Sequence, residues 1–320
     1  MSFLLLIIGF VVLIKGADYF VTGSSQLAKY FSIPPIIIGL TIVAFGTSAP
    51  EAAVSISAAL KGSDNITMGN IIGSNLINIS LIIGLTAFIF PLKVKKTTIV
   101  KEIPLALLGA IIVLVLVSDQ FLQNQEVNTL SRADGLVLLG FFSVFLYYII
   151  EVALKSQNNH PYYLLEHTDK EKPKKSILYT IVGLTGVILG GWLVVENSQK
   201  IALSLGMSET LVGLTIVAIG TSLPELVTAL TAALKKESEI ALGNIIGSNI
   251  FNTLFVLGIS ATIRPLLFNS KIIIDILLMI ALTLVLLVFS TTHKRKINKA
   301  EGLSLVMIYI IYLTFIIIRN

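Results

Sequence analysis

Long apolar runs separated by short polar segments recur along the whole chain. A run of about 17–25 apolar residues is long enough to cross a bilayer as an α-helix, and the sequence contains ten such runs. They cover residues 2–24, 36–60, 66–91, 102–118, 135–154, 177–198, 210–234, 240–263, 272–290 and 303–318. The pattern predicts an all-α membrane protein with ten transmembrane helices.

Polar residues interrupt the second and the seventh run at equivalent places. The segment GLTIVAFGTSAPEAAVSISAAL begins at Gly39, and GLTIVAIGTSLPELVTALTAAL begins at Gly213. Pro50 has no amide hydrogen, so the carbonyl four residues earlier loses its helical partner, and the same holds for Pro224. Both runs should therefore form broken helices near the middle of the membrane.

A second pair of motifs has the same separation in sequence. GNIIGSNLIN begins at Gly69, and GNIIGSNIFN begins at Gly243. Polar side chains spaced by four form one stripe on each helix, and these are Asn70, Ser74 and Asn78 in the first copy and Asn244, Ser248 and Asn252 in the second. Three polar residues on one face of a span need a wet or ligand-filled neighbour. The glycines, including Gly73 and Gly247, should allow close helix packing.

The repeat covers a whole domain and contains five spans. An odd number of spans brings the second copy into the membrane from the opposite side. The predicted domains are a first repeat over residues 1–155, a cytoplasmic linker over 156–176, and an inverted second repeat over 177–320. With both termini outside the cell membrane, sixteen of the 23 Lys and Arg residues fall in cytoplasmic connections, as the positive-inside rule requires. Inverted repeats with broken helices place a transport site at the midplane.

Composition narrows the chemistry of that site. The chain is 55% hydrophobic and 13% charged, with a net charge of +5. Most of its basic residues lie in the connections between spans, which indicates membrane topology rather than nucleic-acid binding. It has no cysteine, and its three histidines fall in polar connecting segments. The oxygen ligands that remain within the spans suit hard cations, and we expect no cofactor.

Glu51 and Glu225 directly follow the two prolines. An ionisable residue at membrane depth costs roughly 2.5 kcal/mol or more, so a functional site is the first hypothesis. Two carboxylates in one dry site repel each other and require a divalent cation, two monovalent cations or protons. Calcium fits the oxygen ligands within the spans best, because it binds about six to eight ligands in flexible geometry.

The duplicated pattern GTSxPE followed by GNxxGSNxxN resembles the alpha repeats of the sodium/calcium exchangers, within the calcium/cation antiporter superfamily. The resemblance covers nearly the full chain and implies two inverted sets of five helices that exchange sodium for calcium by alternating access. The implied calcium ligands are Glu51, Glu225, Thr47 and Thr221. The implied sodium sites are Ala44, Ser48, Ser74, Ala218, Ser222, Ser248 and the two glutamates, with Asn78 and Asn252 completing a central ring.

One departure from the family concerns potassium. Several members carry an acid where this chain has Asn252, so we expect no potassium requirement here. The partners implied are calcium, sodium and the lipid bilayer, and we expect the chain to function as a monomer. The short linker leaves no room for large calcium-sensing domains.

Two other functions remain open from the residues alone. Proton/calcium exchange would require the glutamates to protonate near neutral pH through burial and mutual repulsion. An intramembrane hydrolase would need a histidine, cysteine or aspartate partner within the spans, and it leaves the polar stripes unexplained. Four further acids, Asp18, Glu151, Glu196 and Asp275, are interpreted as structural, with Asp18 and Glu196 close enough to predicted helix ends to be solvated.

Overall fold

The computed structural model describes residues 2–122, 124, 126–159, 173–206, 218–268 and 270–319. Its helices are α1 Ser2–Tyr30, α2 Pro35–Thr47, α3 Ala49–Leu60, α4 Asp64–Ile89, α5 Thr98–Leu116, α6 Asp119–Leu122, α7 Arg132–Asn159, α8 Pro173–Ser204, α9 Ala218–Thr221, α10 Leu223–Leu234, α11 Ser238–Ile263, α12 Lys271–Thr291 and α13 Lys299–Arg319. The strands are β1 Leu92–Lys93, β2 Asn128–Leu130, β3 Leu266–Phe268 and β4 Lys296–Ile297.

Eight described helices are long and apolar enough to cross a membrane, and the bent pair of α2 and α3 raises that number to nine. Each corresponds to one predicted span. The seventh predicted span, 210–234, is described only from Ala218, and its residues 210–217 lie outside the described part of the chain. The protein is therefore a multi-pass, helical membrane protein.

Both helix breaks occur where the prolines predict them. α2 ends at Thr47 and α3 begins at Ala49, with Ser48 between them; α9 ends at Thr221 and α10 begins at Leu223. The proline occupies the second position of the new helix in each case, where its missing amide hydrogen costs no helical bond. The sequence therefore starts a fresh helix directly before each glutamate.

The helices that carry the second motif are the most buried. Of the residues in its apolar window, 78% are buried in α4 and 94% in α11, against 22–33% in the other single-helix spans. Each also contains a π-helical stretch, Asn78–Ile82 in α4 and Phe251–Val256 in α11. These stretches lie in corresponding parts of the two repeats, and π-helical turns frequently mark functional sites.

The chain forms two compact units. The first unit comprises Met1–Thr47, Tyr147–Gly247 and Thr314–Asn320. Within it, α1 packs along α8 through backbone-to-backbone contacts: a Cβ at Gly183 would lie 2.2 Å from the amide nitrogen of Phe20, and one at Gly190 would lie 2.4 Å from that of Leu13. Only glycine permits this approach, which makes α1 and α8 a closely coupled pair.

The second unit comprises Ser48–Leu146 and Ser248–Leu313. Within it, α12 packs against α4 and α5. Two antiparallel strand pairs join its connecting segments: Leu92 is opposite Ile297, and Thr129 is opposite Leu267. The sequence pattern did not predict these strands, because segments of two or three residues are too short to show a period of two.

Candidate functional site

The two glutamates are buried and lie in equivalent positions of their helices. Glu51 is 1% exposed and Glu225 is 0% exposed, and each lies in the first turn of its helix, α3 or α10. A carboxylate is favourable there, because the unpaired amides at a helix N-terminus carry partial positive charge. The preceding serines, Ser48 and Ser222, are also buried, and neither side chain caps its helix.

In the first unit, Thr47, Glu225 and Asn244 form a connected group. The Thr47 hydroxyl donates to Oδ1 of Asn244 at 2.9 Å, and the amide Nδ2 of Asn244 donates to the backbone carbonyl of Glu225 at 3.4 Å. The carbonyls of Val43 and Ala44 lie 3.1 and 3.3 Å from the same hydroxyl. Asn244 therefore holds the backbone at the glutamate while orienting the threonine.

In the second unit, Asn70 plays the corresponding part for Glu51. Its Nδ2 donates to the backbone carbonyl of Glu51 at 3.3 Å and to the hydroxyl of Ser55 at 2.9 Å. The first residue of each polar stripe thus fixes the break that carries the glutamate of its own repeat. Sequence spacing placed Asn70 and Asn244 on the stripes but did not reveal this contact.

The second unit also contains an amide network that the sequence analysis missed. Asn78 donates from Nδ2 to Oδ1 of Asn249 at 2.9 Å, and Asn249 donates to the backbone carbonyl of Asn75 at 3.3 Å. Asn75 in turn donates to the hydroxyl of Thr253 at 2.7 Å. Asn75 and Asn249 are the seventh residues of their GNIIGSN motifs, and this repetition was the signal that could have identified them.

Several stripe atoms are buried without a hydrogen-bond partner among the described residues. They are both amide atoms of Asn252, the hydroxyl of Ser248 and Oδ1 of Asn78. Asn252 and Ser248 are 0% exposed and Asn78 is 1% exposed. An unsatisfied buried polar group costs about 1–3 kcal/mol. These oxygens are therefore the strongest structural indication of a bound ligand in the second unit.

The remaining predicted site residues divide into two groups. Ala44 and Ser74 are buried and Thr221 is half-buried. Ala218 begins α9, and its side chain lies outside the described part of the structure. The structure thus describes the surroundings of eleven of the twelve predicted residues, and their roles as ligands stay predictions.

Two of the four acids interpreted as structural form ion pairs at exposed helix surfaces. Glu196 pairs with Lys200 at 2.8 Å, and Glu151 pairs with Lys155. Asp18 differs from expectation in position, because α1 continues to Tyr30 and leaves it far from the helix end. Its Oδ1 lies 2.7 Å from Nζ of Lys235. Asp18 is therefore both partly exposed to solvent and ion-paired. Asp275 is buried, at 3% exposure.

A family of known proteins matches nearly the whole chain, including the segments that carry both glutamates. A family model described as sodium/calcium exchanger protein matches residues 1–151 and 175–318. The chain belongs to the sodium/calcium exchanger family. The family match includes both copies of the broken helix and of the GNIIGSN motif, which confirms the resemblance seen in the sequence.

Individual relatives agree with the family assignment. The chain is 41% identical to the putative antiporter CaxA of Alkalimonas amylolytica over 96% of this chain and 95% of the relative. It is 32% identical to the sodium/calcium exchanger MaX1 of Methanosarcina acetivorans over 98% and 97%. A solved structure of the sodium-calcium exchanger NCX_Mj matches with a TM-score of 0.83 at 32% identity, covering 98% of this chain and 97% of that one.

Proposed function

We propose that this chain is a secondary active antiporter that exchanges sodium for calcium across the membrane by alternating access. The observation that carries the proposal is the duplicated, buried glutamate, Glu51 and Glu225, each in the first turn of a helix that restarts inside an apolar span. Membership of the sodium/calcium exchanger family indicates that the transported ions are sodium and calcium. Two ionised carboxylates give a formal charge of minus two, which one calcium ion or two sodium ions can neutralise.

The proposed calcium ligands are oxygens of Glu51, Glu225, Thr47 and Thr221. The proposed sodium ligands are oxygens of Ala44, Ser48, Ser74, Ala218, Ser222 and Ser248, with Asn78 and Asn252 as neutral groups beside them. The buried and unbonded atoms of Ser248 and Asn252 support this assignment, because a bound cation would satisfy their oxygens. That both carboxylates serve the same ion rests on the sequence repeat and on the family.

Strand pairing supports the proposed ten-span topology. β2 pairs with β3, so the chain leaves and returns to the same membrane face between Leu130 and Leu266. Three described spans, α7, α8 and α11, lie between these strands. A return to the same face requires an even number of crossings, and the proposed span 210–234 would supply the fourth. The proposed domains are the two inverted five-helix repeats, 1–155 and 177–320, joined by the linker 156–176.

The proposed location is the cell membrane, with the linker in the cytoplasm and both termini outside, and with one chain forming a complete exchanger. Charge supports this orientation, since the connections assigned to the cytoplasm carry most of the basic residues. We propose no resident cofactor or metal, because calcium and sodium are the transported ions.

The test is uptake of radiolabelled calcium by proteoliposomes loaded with sodium. We expect uptake to depend on the outward sodium gradient and to stop when internal sodium is replaced by choline. Uptake driven equally well by a proton gradient, with no sodium on either side, would assign proton/calcium exchange instead.

A further inference from the structure

A basic cavity lies at one end of the second unit, away from the glutamates in sequence. It has a volume of about 430 Å³ and is lined by the segments 93–96 and 293–296, each at a connection between two spans. Its lining side chains include Lys93, Lys95, Lys96, His293, Lys294, Arg295 and Lys296. Six of these are Lys or Arg, so the cavity concentrates six formal positive charges in one place.

The strands that form the cavity bring like charges together. β1 and β4 pair antiparallel, with Lys93 directly opposite Lys296, and the amide of Val94 donates to the carbonyl of Arg295 at 2.9 Å. Like charges directly opposite on paired strands are destabilising. The other strand pair, β2 with β3, has no Lys or Arg and aligns three residue pairs, against two in β1 with β4. The charges are therefore not needed to form the strands.

The turn before β4 is also strained. His293, Lys294 and Arg295 have φ values of 44°, 59° and 61°, in the left-handed region that favours glycine. Non-glycine residues in this region are strained and cluster at sites that bind or switch. The strain is maintained by Glu301, which accepts from the amide of Asn298 at 2.8 Å and from the Thr292 hydroxyl.

Glu301 does not offset the basic cluster as a whole. Its side chain is only 10% exposed, and its oxygens are held by Thr292, Asn298 and the His293 ring, whose Nδ1 lies at 3.3 Å. The carboxylate thus builds the turn that presents Lys294 and Arg295 to solvent. A positive-inside signal needs basic residues in the connections, but it does not need them converging on a cavity.

We propose that this cavity binds the phosphate group of an anionic membrane lipid. Four span ends meet the cavity within a few residues, because α4 ends at Ile89, α5 begins at Thr98, α12 ends at Thr291 and α13 begins at Lys299. Large apolar side chains are exposed on these helix ends, among them Ile89, Val100, Val288 and Leu303. A lipid could place its phosphate among the cations and its acyl chains along this surface. Basic pockets between spans bind anionic headgroups in this way.

The test compares two double variants with the same loss of charge. Lys294→Gln with Arg295→Gln alters the cavity, and Lys61→Gln with Lys271→Gln removes two exposed lysines from connections predicted on the opposite face. The full chain in neutral detergent is titrated with short-chain phosphatidylglycerol, with phosphatidylcholine of the same chain length and with inorganic phosphate. The apparent Tm gives the concentration for half-maximal stabilisation.

We expect phosphatidylglycerol to stabilise the wild type and the control variant equally, and phosphatidylcholine to act more weakly. The cavity variant should need roughly thirtyfold more phosphatidylglycerol, since each basic residue near an anionic headgroup contributes about 1 kcal/mol. Equal responses of the two double variants would overturn the proposal. A charge-dependent shift of the same size with inorganic phosphate would overturn the lipid as the source. Neither outcome depends on ion exchange.

Discussion

Glu51 and Glu225 show how one residue can determine the character of a whole span. A buried carboxylate is stabilised only by an opposite charge, a hydrogen-bonded environment or protonation. Each glutamate lies in the first turn of its helix, where the peptide dipoles favour its charge. The dipole contributes only up to about 2 kcal/mol, and we propose that a bound cation adds to this compensation of the carboxylate charge.

The first prediction concerns these carboxylates. Glu51→Gln and Glu225→Gln should each abolish calcium exchange while the protein still elutes as a folded species. Removing one partner of a buried ion pair costs about 3–5 kcal/mol, which is more than about a hundredfold in affinity. Glu196→Gln is the control, because Glu196 pairs with Lys200 on an exposed surface. Near wild-type calcium flux in both site variants would refute the proposed ligands.

The second prediction concerns Asn252 and its repeat partner Asn78. Asn78 donates to Asn249, whereas no described residue bonds the amide of Asn252. In the absence of transported ions, Asn252→Leu should therefore raise the apparent Tm, because it removes an unsatisfied group that costs about 1–3 kcal/mol. Asn78→Leu should lower the Tm, because it breaks an existing bond.

The same pair of variants tests ligand binding. Sodium or calcium should raise the Tm of the wild type, and Asn252→Leu should lose part of that increase. If Asn252→Leu proves as destabilised as Asn78→Leu in ion-free buffer, the unbonded amide has a partner that this account lacks.

At the residue scale, the sequence predicted positions better than contacts. The motif identified Thr47, Glu51 and Asn252, because their residue types are costly within a membrane. It could not predict that Asn252 lacks the partner that Asn78 has, since both occupy equivalent motif positions. It also could not predict the ion pair of Asp18, because Lys235 is remote in sequence.

Helix breaks were predictable at the scale of elements, and short strands were not. Proline acts locally, through a missing amide hydrogen and a steric clash, so Pro50 and Pro224 fix the breaks whatever surrounds them. β1 and β4 form only because distant connections meet. The burial of α4 and α11 follows from their polar stripes, which cannot face lipid.

The third prediction concerns glycine packing. A Cβ at Gly243 would lie 2.7 Å from the carbonyl oxygen of Ile36 and 2.9 Å from Cα of Gly39. This confirms the predicted close approach in the second repeat. No described atom lies within 4 Å of a Cβ at Gly69, so the corresponding contact in the first repeat stays a prediction.

Gly243→Ala should lower the apparent Tm and the yield of folded protein, because backbone atoms cannot yield to the methyl group. The repeat predicts the same close approach at Gly69, so Gly69→Ala should lower the Tm as well; a neutral or slightly stabilising effect, as expected from the helix preference of alanine alone, would contradict that contact. An unchanged Tm in Gly243→Ala would contradict the close packing of Gly243 on Ile36 and Gly39.

For the whole molecule, the two strand pairs constrain topology more tightly than hydropathy does. Hydropathy counts spans but cannot assign a face, and the charge bias assigns a face only statistically. β1 with β4 joins two basic connections, and β2 with β3 joins two connections predicted on the other face. Sequence symmetry predicts five spans in each repeat, and the described helices account for eight spans, or nine with the bent pair.

The fourth prediction assigns the faces. In this cysteine-free chain, a single cysteine at Ser2 should react with an impermeant maleimide added to intact cells. A cysteine at Asn158 should react only after the membrane is permeabilised. Labelling of Asn158→Cys in intact cells, with Ser2→Cys protected, would reverse the proposed orientation.

Competition between sodium and calcium for the same carboxylates is the central claim, and initial rates of calcium uptake test it most directly. Radiolabelled calcium uptake into sodium-loaded proteoliposomes should be measured at increasing external sodium, with potassium replaced by choline on both sides. We predict a rising KM for calcium at constant maximal rate, without any need for potassium, because one calcium ion already balances two carboxylates. A falling maximal rate at constant KM, or uptake that collapses without potassium, would contradict the account.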